Sequence, residues 1–206
     1  VFEIDAIKLG VSRILNLDTN EPVMTSHEGH KMHHEDDGEM DHDEMDHSKH
    51  MNHDMEHEMH HSTVKPTWVQ PHPTEDIIYI AGNGSNEILE VDTRKWTVTH
   101  RMPCGKAPYN LDITPDGKML VVSYKGEGAT GIWDLKKRKE LAKIPNSRKV
   151  THGVAISTDG KYAFISVEGI GGEPGSVDVI DLTSLQKVAA VNIGKQAGGI
   201  VFWKQE

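Results

Sequence analysis

Apolar and polar positions alternate along this chain in short runs, and turn-forming residues separate one run from the next. His152 to Ser157 alternates, Asp159-Gly160 reverses the chain, and Tyr162 to Val167 is β-branched and aromatic. Val177 to Ile180 alternates again and Val188 to Ile193 completes the set. A period of two bounded by Asp-Gly turns predicts half-buried antiparallel strands joined as a meander. No apolar period of 3.6 runs through these segments, which excludes a helical solenoid.

The meander recurs. Turn signals stand at Pro73-Thr74-Glu75-Asp76, Pro115-Asp116-Gly117-Lys118 and Thr158-Asp159-Gly160-Lys161, spaced by 42 and 43 residues. A second marker, an Asp closing an apolar strand, stands at Asp92, Asp134 and Asp181, spaced by 42 and 47; the Gly-rich stretch from Gly169 to Gly175 accounts for the longer interval. A four-stranded unit of this size cannot cover both of its faces, so the units must stack about an axis. The expected fold class is therefore all-β: a β-propeller of four-stranded antiparallel blades. Val11 to Thr19 aligns with Ser85 to Thr93, placing Asp18 opposite Asp92, and Gly199 to Phe202 aligns with Gly153 to Ile156. This phase makes residues 1–25 the later strands of one blade, 63–108, 109–150 and 151–197 three blades, and 198–206 the first strand of a closing blade. About four blades lie at the low end for such rings, so a larger ring of about seven, with blades upstream of Val1, is the expectation. Val1 opens within a strand and without an initiator Met. Upstream residues, whether cleaved off or simply absent from this sequence, are therefore expected, and the expected location is periplasmic or secreted.

Gly105-Lys106-Ala107-Pro108-Tyr109-Asn110-Leu111 followed by Thr114-Pro115-Asp116-Gly117-Lys118 resembles the YVTN-type β-propeller repeat, as does Thr151 to Ile156 followed by Thr158 to Lys161. Gly194 to Ile200 matches the corner of the same repeat. The resemblance covers nearly all of the chain outside residues 26–62. It implies the propeller fold and leaves function open, since similar propellers serve as surface proteins, lactonases and electron-transfer or denitrification enzymes.

Charge changes the picture at one place only. The formal net charge is -10, and the stretch from Ser26 to Ser62 carries all of it, with twelve acidic and two basic residues. A near-neutral remainder without a basic stripe argues against nucleic acid as a partner. No apolar run is long enough to span a membrane. The single cysteine, Cys104, excludes an intrachain disulfide and a cysteine-based zinc site.

The acidic stretch is also the candidate for chemistry. Aligning Asp18 with Asp92 and Pro73 with Pro115 leaves 55 residues where the neighbouring unit uses 23, so an insert of roughly thirty residues occupies a loop between blades. The insert falls after a strand at Glu21 to Thr25 and before one near Trp68, on the rim shared with Gly105 to Pro108, Lys149 to His152 and Gly194 to Gly198. Its donors are His27, His30, His33, His34, His42, His47, His50, His53, His57, His60 and His61, together with Met32, Met40, Met45, Met51, Met55 and Met59. With no aromatic or β-branched residue it has nothing from which to build a core, and it is expected to order only around a ligand. Imidazole suits Cu(II), Zn(II) and Ni(II), while thioether is a soft donor suited to Cu(I) and, by extension, silver. Copper in either state is the foremost expectation; zinc, nickel and silver follow. Met51, Met55 and Met59 recur at i+4, as do His53, His57 and His61, so a helical turn would set a thioether stripe beside an imidazole stripe.

His152 and Cys104 lie in equivalent rim corners and are secondary ligand candidates; His72 and His100 are expected to stand apart, and Trp68, Trp96, Trp133 and Trp203 to pack between blades. The chain has no Gly-x-Ser-x-Gly, no haem attachment motif and no phosphate-cradling Gly loop. The leading expectation is a protein that captures, buffers or delivers metal ions, with a protein partner on the rim as an additional expectation. The competitors are a propeller subunit of a periplasmic redox or electron-transfer enzyme whose reactive centre lies upstream, and a non-catalytic surface or interaction propeller.

Overall fold

The computed structural model describes residues 1–23 and 62–204 of the chain. Within these residues every regular element is a strand. The first sheet has three: β1 (Phe2–Asp5), β2 (Gly10–Asn16) and β3 (Glu21–Val23). Three four-stranded sheets follow. They comprise β4 (Pro66–Pro71) to β7 (Thr97–Pro103), β8 (Pro108–Ile113) to β11 (Lys139–Pro145), and β12 (Val150–Ile156) to β15 (Gln186–Asn192). The intervening strands are β5 (Ile77–Gly82), β6 (Glu87–Asp92), β9 (Met119–Tyr124), β10 (Ala129–Asp134), β13 (Tyr162–Glu168) and β14 (Ser176–Asp181). Each sheet is an antiparallel meander in chain order, the arrangement predicted from alternation and turn residues.

The repeat is exact down to its irregularities. The third and fourth strands of each complete blade slip register at one equivalent place, between Glu90 and Val91, Ile132 and Trp133, and Val179 and Ile180. Such bulges bend and twist a strand, which turns the outer edge of every blade in the same way. The strand-closing Asp accepts two backbone N–H bonds from the turn that follows: Asp92 from Arg94 and Lys95, and Asp181 from Thr183 and Ser184. In the first sheet this role falls to Asn16, which accepts from Asp18 and Thr19. Asn16 pairs with Glu21 as Asp92 pairs with Thr97. The alignment of Asp18 with Asp92 is thus corrected by two residues, because Asn makes the same side-chain turn as Asp and the sequence pattern did not distinguish them.

Blades meet through their first strands. Gln70 donates to Asp112 (3.0 Å), and the other carboxylate oxygen of Asp112 accepts the Ile156 N–H (2.9 Å), so one side chain on β8 staples β4 to β12. Apolar seams flank this staple. Ile88, Met102, Leu111 and Leu120 bury one junction, and Val121, Ile132, Val154 and Ile165 the next. Ser123 Oγ donates to the His152 carbonyl of the following blade (2.6 Å), and Ser166 Oγ donates in the same way to Gly198 (2.6 Å). Residues 198–203 therefore start where a further first strand belongs, and the Phe202 ring stacks on Phe164 at 5.7 Å. They pair with no second strand among the described residues. The face beyond them is open: Val191 is 57% exposed, whereas Met102 and Ile144, at the equivalent place, are 5% and 8% exposed.

Two tryptophans depart from expectation. Trp96 and Trp133 are buried between sheets, but Trp68 and Trp203 are exposed. Trp68 lies on β4 next to the three-stranded sheet, which presents no first strand to cover it. Trp203 follows the Phe202 that stacks on Phe164 and is itself exposed.

Candidate functional site

The tract's eleven histidines and six methionines, from His27 to His61, lie outside the described residues. Its two ends are placed. β3 ends at Val23, and the chain is described again from Ser62, where it runs into β4 at the rim from which β8 and β12 also start. The placement repeats that of the neighbouring blade, since Gly84 donates to Val64 (2.9 Å) as Gly126 donates to Lys106 (3.1 Å). Asp18 ties the far end down. Its Oδ1 accepts the N–H groups of Thr63 (2.9 Å) and Val64 (3.3 Å) and also the Thr63 hydroxyl. The hydroxyl bond, with help from Ser62 and the backbone N–H groups, holds the Asp18 carboxyl below its ordinary range against the opposing effect of burial. A cleft of about 620 Å³ opens at this root, lined in part by Leu15, Asp18, Val23, Ser62 and Thr63. In the repeat phase Asp18 reads as a strand end; as a clamp it joins residues 45 apart in sequence, and no local motif marks that role.

His152 sits on β12 on the same rim. Its ring packs against Tyr109 with centroids 4.4 Å apart, and Nε2 lies 3.5 Å from Glu168 Oε1. Lys125 places its ammonium 4.4 Å from the centre of the Tyr109 ring. Burial, then the positive charge of Lys125, lowers the His152 pKa, with Glu168 and a hydrogen bond to the Gly198 backbone opposing. The shift favours the neutral imidazole, the form that ligates metals.

Cys104 is placed differently. It packs at the margin of the core that contains Met102 and Tyr124, and its thiol donates to the Gly105 carbonyl at 3.5 Å. Burial, reinforced by Glu140, pushes the thiol pKa up to about 12, so at neutral pH it is protonated and a poor ligand. No contact joins it to His152.

The remaining histidines have local partners. His72 Nδ1 accepts the N–H groups of Thr74 and Glu75, while Nε2 lies 3.0 Å from the Gly117 carbonyl at the opposite rim. His100 Nδ1 meets Glu90 at 3.0 Å in a buried network that Arg138 completes with two bonds of 2.9 Å. Among the described residues no three His, Cys, Asp or Glu side chains converge on a metal-sized position. Inside the tract, His57-Glu58-Met59-His60-His61 spells the His-Glu-x-x-His pattern of zinc peptidases. A segment this rich in His and Glu generates that spacing by composition alone.

No helix among the described residues is long and apolar enough to cross a membrane. No family model and no curated relative matches the chain. Its fold is similar to solved structures. One is the Kuenenia stuttgartiensis Hydrazine Synthase, with a TM-score of 0.61, 23% identity, and coverage of 66% of this chain and 38% of that one. Another is described as the structure of U3-55K, with a TM-score of 0.61, 16% identity, and coverage of 68% and 43%. The chain spans less than half the length of either. At these identities the likeness carries fold and nothing more: a propeller-like stack of four-stranded sheets.

Proposed function

We propose that this protein is a β-propeller scaffold that holds a metal-capturing tract over one rim and captures, buffers or delivers copper or a similar transition metal. The observation that supports this reading is the segregation of donors. Eleven of fourteen histidines and six of nine methionines occupy one stretch of sequence that has no core-forming residues, while the three four-stranded sheets that follow it have all their strands without it. Imidazole, thioether and carboxylate together give borderline and soft sites, and the clamp at Asp18 returns the tract to the rim it leaves.

Calorimetry on the full chain with Cu(I), Cu(II) and Zn(II) tests the reading. Free imidazole has a pKa of about 6.5, so uptake of Zn(II) and Cu(II) is expected to weaken as pH falls below about 6. Replacing Met32, Met40, Met45, Met51, Met55 and Met59 with Leu is expected to weaken Cu(I) binding while sparing Zn(II). Zn(II) binding that is unchanged between pH 7.5 and pH 5 would remove imidazole from the account.

A second reading draws more directly on the comparisons: the chain is a section of a larger redox or electron-transfer enzyme, as the match to part of a hydrazine synthase chain allows. An absorption and EPR spectrum of the protein as purified separates the two, because a resident redox centre absorbs and a capture tract without its ion does not.

A further inference from the structure

The blades contain three histidines, and their surroundings differ in a way that bears on metals. Both ring nitrogens of His72 are committed to backbone groups. His100 faces Glu90, but that carboxylate is saturated by Arg138, Thr99 and His100 itself, and a cation there would meet the guanidinium. His152 faces Glu168, whose carboxylate has no other hydrogen bond or ion pair among the described residues. Only here does a ring nitrogen meet an unsaturated carboxylate.

The geometry points to a two-ligand site for a divalent ion of the zinc or copper(II) type, formed by His152 Nε2 and Glu168 Oε1 on the rim to which the tract returns. Zn–N and Zn–O bonds of about 2.0–2.2 Å set neighbouring tetrahedral donors roughly 3.4 Å apart, and the two atoms here are separated by 3.5 Å. The ring needs no search for its pose. Tyr109 packs on one side of the imidazole, with ring centroids 4.4 Å apart. Both side chains are partly exposed, 18% for His152 and 28% for Glu168, so an ion can reach them from solvent. Lys125 is the opposing charge, and its ammonium is turned onto the face of Tyr109. Two protein ligands leave the other coordination positions to water or an incoming donor, one more open position than in a three-ligand catalytic zinc site. This inference rests on the reading of the protein as a metal handler and supplies the rim position at which an ion is presented.

Histidine-selective 15N NMR of the full chain, titrated with zinc past saturation of the tract, tests it. The His152 resonance is identified by its loss in His152→Gln. The expected result is that it shifts with zinc while His72 and His100 stay fixed, and that Glu168→Gln raises the zinc concentration required by about tenfold or more. Shifts confined to the tract histidines would overturn the rim site and leave the tract reading intact; no shift in any histidine would overturn both. A His152 shift unaffected by Glu168→Gln would overturn the two-ligand site.

Discussion

Tyr124 illustrates how much a single residue imposes on its neighbours. Its buried hydroxyl accepts from Trp133 Nε1 (2.8 Å) and donates to Glu140 (2.8 Å), and its ring lies between two glycines. A methyl group at Gly131 would come within 2.1 Å of the hydroxyl oxygen, and one at Gly105 within 2.3 Å of the ring. Gly131→Ala is therefore expected to cost about 1–3 kcal/mol, read as a lower midpoint in urea, even though the backbone there suits alanine. In the sequence Gly131 looks like a weak point in a strand, and nothing local reveals the ring that fills the space. Asn16 and Asp18 teach the same lesson from the other side. Either could close a strand by its chemistry, and only the hydrogen bonds assign one to the turn and the other to the clamp on Thr63.

At the scale of elements, the strands and their turns were legible because alternation and Asp-Gly chemistry act over a few residues. The links between blades were not, because they join residues far apart in sequence. Glu90 on β6 and Arg138 in the turn after β10 are the clearest case. Burial pushes the Glu90 carboxyl up, but its bonds to Arg138, Thr99 and His100 outweigh that and hold it below the ordinary range. A carboxyl lowered on folding contributes stability above its unfolded pKa, and that contribution is lost as pH falls through the folded value. Arg138→Ala removes the largest of those interactions and leaves a carboxylate that is 3% exposed. The expected cost is about 3 kcal/mol at pH 7. Burial then dominates and raises the Glu90 pKa, so the cost is expected to shrink as the variant is acidified toward pH 5, where the carboxyl can take up a proton. Urea titrations at both pH values check this; an equal cost at each would place the effect elsewhere than on the Glu90 charge.

At the scale of the molecule, three complete blades stack through apolar seams and stapled first strands, built from residues 66–192. The sequence made the separation of blades from tract visible because a segment without aromatic or β-branched residues cannot contribute to such seams. The repeat phase also gave the rim that the tract shares with His152; what stayed hidden was the clamp by which Asp18 holds Thr63 and Val64 there. Asp18→Ala is expected to leave the number of ions bound unchanged and to lower the thermal midpoint by a few degrees at most, since an exposed clamp of this kind contributes about 1 kcal/mol.

The most direct test compares the full chain with a variant in which residues 26–62 are replaced by a short Gly-Ser linker, by native mass spectrometry with Cu(I), Cu(II) and Zn(II). The predicted result is that both chains keep the same compact charge-state distribution, that the full chain carries several ions and that the shortened chain retains at most the one on the rim. Equal ion loads on the two chains would contradict the account.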